Sequence, residues 1–165
     1  MREKIINKSG ELFLTLGFKS VTMDDIANAL GISKKTIYQH FSNKTKLVEA
    51  TTLNVFESIC GGIDCICNAS NNPIQELYDI KMFVMNYLKN EKTSPQFQLK
   101  KYYPKIHQKT MEKEMVLFSE CLKKNLEKGI QEGFYRNDLN IDLITKFYFF
   151  CISTTYSAFI LIREN

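Results

Sequence analysis

The stretch Met23–Phe41, MDDIANALGISKKTIYQHF, constrains this chain more than any other. Ile26, Ala27 and Leu30 recur at helical spacing, which turns one side inward. Gly31 breaks the pattern, and Ser33 stands where the N-cap of a second helix belongs. That second helix presents Ile37 and Phe41, four residues apart, to the interior. At about 3.6 residues per turn, Lys35 and Gln39 fall on the opposite side, with Thr36 and Tyr38 on the flanks. Small Ala27 lets the two helices approach, Gly31 makes the turn, and Ile37 locks the second helix to the first. This is helix-turn-helix spacing, in which the outward residues enter the major groove of double-stranded DNA. Plain helical hairpins with a solvated basic face imitate the bare pattern, so the flanks have to decide.

From Ile5 to Leu47 the sequence resembles the TetR family of bacterial transcriptional regulators. The resemblance rests on Ile5, Ile6, Leu12, Phe13, Gly17, Phe18, Thr22–Asp24, Ile26, Ala27, Leu30–Lys34, Thr36–Tyr38, His40, Phe41, Lys44 and Leu47, in register without a gap. It departs at Ser9, where the family usually has Ala, and at Lys35, where a small residue is common. The resemblance implies an all-α chain. A three-helix DNA-binding domain (1–46) precedes a helical effector-binding and dimerisation domain (47–165). It also implies a ligand-controlled repressor acting as a homodimer. Lys35, Thr36 and Gln39 are expected to reach base edges. Thr22, Tyr38, His40 and Lys44 are expected mostly to hold phosphates, and Lys34 joins the same DNA-facing set. Thr22 also reads as a helix cap, in a capping box with Asp25. Lys44 stands in the first turn of a helix, where its charge opposes the dipole, and a nearby phosphate would account for it.

Charge distribution agrees with this reading. The net charge is +4. Residues 1–50 carry 8 Lys/Arg against 5 Asp/Glu, and the remaining 115 carry 14 against 13. The excess therefore lies mostly in the DNA-binding part, as phosphate attraction requires. With 44% apolar residues, 12 Phe and 8 Tyr against 3 Pro and 7 Gly, the chain suits long helices around an aromatic-rich interior. No signal peptide is visible at MREK and no apolar run reaches the roughly 18 residues of a membrane span, so a cytoplasmic protein is expected. The five cysteines are odd in number, and Cys60, Cys65 and Cys67 lack zinc spacing. They read as buried free thiols or, less simply, as a redox or metal sensor. No cofactor or metal is assigned.

Along the chain, residues 3–16 form a first helix with Ile5, Ile6, Ser9, Leu12, Phe13 and Leu16 as its stripe, ended by Gly17 in a left-handed cap. Ser42 is placed to cap a fourth helix from Asn43, which Gly61-Gly62 should end or bend. A well-buried helix follows Pro73. A short wetter one follows Pro95 and is closed by Tyr102-Tyr103-Pro104. A long one over 106–131 carries Met111, Met115 and Phe118 inward. Asn140 can cap a last helix, 141–163, too apolar for one core alone. Phe147, Phe150, Tyr156 and Phe159 are expected at a dimer interface, and polar interruptions weigh against a membrane helix. The family usually has one more helix, so a truncated C-terminus is expected.

Candidate effector contacts are Phe56, Ile59, Cys60, Met82, Met85, Tyr102, Tyr103, Met115 and Phe118. They are large or soft side chains, equally compatible with an ordinary core. Two other functions compete. A DNA-binding structural protein without effector control would have a solid C-terminal half. An enzyme would need chemistry that this chain does not display: it has two histidines, His40 and His107, and no phosphate loop, dinucleotide fingerprint or nucleophile elbow.

Overall fold

The structure, a computed structural model, describes residues 1–69, 72–88 and 95–151. Every regular element among them is an α-helix: α1 (Arg2–Leu16), α2 (Met23–Leu30), α3 (Lys34–His40), α4 (Lys44–Ala69), α5 (Pro73–Leu88), α6 (Pro95–Tyr102), α7 (Pro104–Gln131), and α8 over 141–151. The all-α expectation holds. No described helix is long and apolar enough to cross a membrane. The chain divides into two compact units. One combines Met1–Cys60 with Tyr87–Met111, and the other combines Gly61–Asn86 with the residues from Glu112 onward.

The first unit is built on α1, α2, α3 and the start of α4. Ile5, Phe13, Val21, Ile26, Ile37, Leu47 and Val48 are almost wholly buried in one cluster. Phe18 stacks on Phe13 with ring centroids 5.1 Å apart and meets Tyr103 edge-on at 6.2 Å. Leu99 of α6 and Ile106 of α7 belong to the same core, so residues beyond 87 complete the packing of α1–α3. Ser9 is buried as expected, whereas Leu16 is exposed and leaves the stripe.

Gly17 has φ 87° and ψ 153°, a positive φ without the left-handed helical ψ expected of it. The side chain of Gln98 lies over it, so close that a Cβ on residue 17 would meet Gln98 Nε2 at 2.5 Å. Two helix boundaries also differ from expectation. Asn43, not Ser42, caps α4, its Oδ1 accepting from the Lys46 N–H at 2.9 Å. And α4 does not end at Gly61 and Gly62 but continues to Ala69. Gly62 serves close packing instead, since a Cβ there would run into the Phe83 ring.

The second unit has a polar centre. Asn125 of α7 is buried, and its Nδ2 donates to the Pro73 carbonyl at 2.9 Å and to Glu76 Oε1 at 2.8 Å. The Tyr135 hydroxyl donates to Asn125 Oδ1 at 3.1 Å, and Lys128 Nζ stands 3.7 Å from Glu76 Oε2. Buried polar groups need such partners, and here they tie the start of α5 to α7 and the turn after it. Phe118 stacks on Tyr148 at 5.6 Å, and Lys123 pairs with Asp142 at 2.6 Å, which joins α7 to α8. The Asn140 cap is present: its Oδ1 accepts from the Leu143 N–H at 3.0 Å. The expectation that α5 is well buried does not hold. Ile74, Tyr78, Met82 and Met85 are exposed, and so is Met115 of α7. An apolar stretch covering most of a helix's circumference says how much of it wants cover, not which neighbour supplies it.

Candidate nucleic-acid interface

Thr22 is the N-cap of α2 and forms a complete capping box with Asp25. Its Oγ1 accepts from the Asp25 N–H at 3.2 Å, and its own N–H and hydroxyl each donate to Asp25 Oδ2 at 2.8 Å. Those bonds, the backbone one foremost, hold the Asp25 carboxyl below the usual carboxylate range. Both readings of Thr22 thus meet at one atom: the hydroxyl that would donate to a phosphate is already donating to Asp25.

At the other end of α2, Gly31 adopts φ 64°, ψ 31°, the left-handed conformation that a residue without Cβ reaches at no steric cost. Its N–H closes the last turn onto Ala27 and Asn28. The chain reverses, and Ser33 caps α3 by accepting from the Thr36 N–H at 3.1 Å. Ile37 and Phe41 are buried against the core, so the remaining residues of α3 face away from it. Lys35, Tyr38, Gln39 and His40 are exposed; Thr36 is half-buried, its hydroxyl 2.8 Å from that of Ser33. Lys34 is exposed but pairs with Asp24 at 2.7 Å, which raises its pKa and lowers its availability to another anion.

Lys44 is half-buried. Its ammonium donates to the Phe18 carbonyl at 2.5 Å, lies 3.5 Å from that of Lys19, and stands 6.0 Å from the Phe13 ring centroid. Burial pushes its pKa down, and the Asp25 carboxylate partly restores it. An ammonium in the first turn of a helix thus has an internal partner in the α1–α2 loop. Sequence reasoning had not found this role, because the contact is 26 residues back along the chain. It had also passed over Arg2, whose guanidinium lies 5.3 Å from the Phe41 ring centroid at the end of α3.

The other candidate residues are distributed as follows. In the first unit Phe56, Ile59 and Cys60 are half-buried on α4, Tyr102 is exposed, and Tyr103 packs into the aromatic core with Phe18. In the second unit Met82, Met85 and Met115 are exposed, and Phe118 is half-buried between Tyr148 and Phe149. Phe147 and Phe150 are 67% and 63% exposed on α8, while Tyr156 and Phe159 lie outside the described residues. Cys67 lies beside Cys121, not Cys65, with sulfurs 3.8 Å apart. Burial pushes the Cys121 thiol up to about 12, which keeps it protonated and weakly nucleophilic.

The sequence model of the bacterial regulatory proteins of the tetR family matches residues 5–51. Over 160 residues the chain is 23% identical to the HTH-type transcriptional repressor KstR2 of Mycolicibacterium smegmatis, covering 88% of this chain and 73% of that protein. Over 78 residues it is 35% identical to IcaR of Staphylococcus aureus, the negative transcriptional regulator of a biofilm operon, covering 47% and 42% of the two chains. Its fold matches that of the transcriptional regulator FadR from Bacillus subtilis, solved with stearoyl-CoA, at a TM-score of 0.73 and 17% identity over 100% of this chain and 90% of that one. The matched segment spans α1, α2, α3 and the start of α4, where the capped, glycine-turned helix pair stands. The capped, glycine-turned helix pair thus lies in a segment, residues 5–51, that matches the TetR family of bacterial regulatory proteins.

Proposed function

We propose that the chain is a repressor that two copies bring to a near-palindromic operator and that a small apolar or aromatic effector releases. The observation that carries the DNA part is α3 itself: Ile37 and Phe41 are buried while Lys35, Tyr38, Gln39 and His40 are exposed. Lys35, Thr36 and Gln39 read base edges. Tyr38, His40, Thr22 and Lys44 hold phosphates, Lys44 with a donor left over after its two carbonyls. Lys34 divides its charge between Asp24 and the duplex.

One short reading helix gives too small a footprint for strong selectivity, so the protein works as a pair, joined through 141–163 about a two-fold axis. The exposed side chains of Leu143, Phe147 and Phe150 on α8 support this. For the effector, support comes from the stearoyl-CoA bound by FadR and from the exposed Met82, Met85 and Met115 of the second unit. Such a ligand must prefer the form that does not bind DNA, and operator DNA then weakens its binding by the same factor. The protein is no enzyme in this reading, and it resides in the cytoplasm with its DNA.

Selection from a random duplex library tests the proposal. Enrichment of a near-palindrome is expected, its half-sites about 34–36 Å apart or a multiple of that. Gln39→Ala should relax the preference at one position per half-site by about 1–3 kcal/mol. An unchanged ranking of site variants removes Gln39 from base reading. No enrichment over random sequence removes the regulator reading altogether.

A further inference from the structure

Residues 95–111 carry four lysines and no carboxylate, although they pack within the same compact unit as the reading helices. One of them, Lys101, lies beside two exposed aromatic rings. Lys101 Nζ lies 5.6 Å from the Tyr102 ring centroid and 5.7 Å from that of Phe97. Lys19, from the α1–α2 loop, reaches the same Tyr102 ring at 5.5 Å. Two ammonium groups thus share one ring. Among the described residues no carboxylate stands within ion-pair distance of Lys19, Lys100, Lys101 or Lys105. By contrast, Lys109 on the next helix is paired with Glu49 at 3.2 Å.

A ring face attracts a cation but does not neutralise it, so gathered like charges remain repulsive until an anion arrives. The cluster is continuous with the residues already assigned to the duplex. The Lys19 N–H donates to Gln98 Oε1 at 3.3 Å, and Lys44 Nζ lies 3.5 Å from the Lys19 carbonyl. The geometry points to a second DNA contact: Lys19 and Lys101, steadied on Tyr102, hold backbone phosphates flanking the operator. The occupant is duplex DNA because the cluster lies open on the unit that carries α3, and a duplex offers a dense row of anions there. This contact carries no sequence information, so it lengthens the footprint without changing the bases read. It rests on the regulator reading.

The test compares two duplexes. One is limited to the bases that library selection fixes, and the other carries eight more base pairs on each side, in two unrelated sequences. The wild-type chain should bind both extended duplexes more tightly. Its plot of log affinity against log salt should steepen by about 1.8 per bound protomer, roughly 0.9 for each phosphate neutralised. Lys19→Gln with Lys101→Gln should abolish both gains while binding the short duplex as before. Lys109→Gln, which also removes one charge, should keep them. Circular dichroism with an unchanged thermal midpoint confirms that the double variant is folded. Equal affinity of the wild type for short and long duplexes overturns the flank contact and leaves the regulator reading standing. So does a double variant that keeps the gain, or a gain confined to one flank sequence. Failure to bind any duplex selectively removes both.

Discussion

Ser9 shows how a single buried oxygen can weigh on this fold. It is wholly buried in the first unit, and among the described residues its Oγ has no hydrogen-bond partner, nor has Oγ1 of Thr51. An unsatisfied buried hydroxyl costs about 1–3 kcal/mol. Ser9→Ala removes that penalty and only one small atom, so urea denaturation should find the variant more stable by roughly 1 kcal/mol. Asp25 acts at the same scale through protons. Its carboxyl is held below the usual range, chiefly by the Thr22 backbone N–H and then by the Thr22 hydroxyl. The unfolded chain therefore takes up its proton first as pH falls. The stabilisation is complete above about pH 4 and disappears as pH drops through the lower folded value. Asp25→Asn should thus lower stability near neutrality and give a shallower decline on acidification, measured by denaturation at a series of pH values.

At the scale of the helix, the adjacent glycines of α4 have opposite expectations. Around Gly61 there is open space for a methyl group, so Gly61→Ala should stabilise the chain by about 0.5–1 kcal/mol through helix propensity. A Cβ on Gly62 runs into the Phe83 ring, so Gly62→Ala should destabilise by about 1–3 kcal/mol despite the same propensity gain. Thermal melts of the two single variants separate these effects. The pair also marks the limit of what the sequence discloses. The capping box at Thr22, the turn at Gly31 and the burial of Ile37 and Phe41 are local features, and each could be read directly. Gly61-Gly62 looked like a break because propensity is local, whereas Phe83 comes from another helix. The same holds for Lys44, whose carbonyl partners come from a distant loop, and for α5, whose exposed face no periodicity could assign. In the interface, the outward set on α3 was legible. The internal partners of Lys34 and Lys44 were not, since they depend on which side chains meet.

For the whole molecule, the expected pairing through the last helix can be checked by charge. Phe147 and Phe150 are exposed on α8, and replacing both with Lys should convert a dimer to a monomer in sedimentation at micromolar concentration. The variant core should be unaffected, because neither residue is buried within its own unit. A wild type that sediments as a monomer would exclude the paired arrangement. A different consequence follows from the way the chain is apportioned. It passes between the two compact units after Cys60, after Asn86 and after Met111, and all three passages lie inside unbroken helices, α4, α5 and α7. The reader is therefore not a cassette. An engineer who grafts residues 1–60 onto another regulator leaves behind Leu99 and Ile106, which close its hydrophobic core, and Tyr103, which packs against it. Evolution faces the same bond: under the proposed reading a new specificity needs only changes in the outward residues of α3, whereas wholesale exchange of residues 1–60 must carry along their packing partners in 87–111.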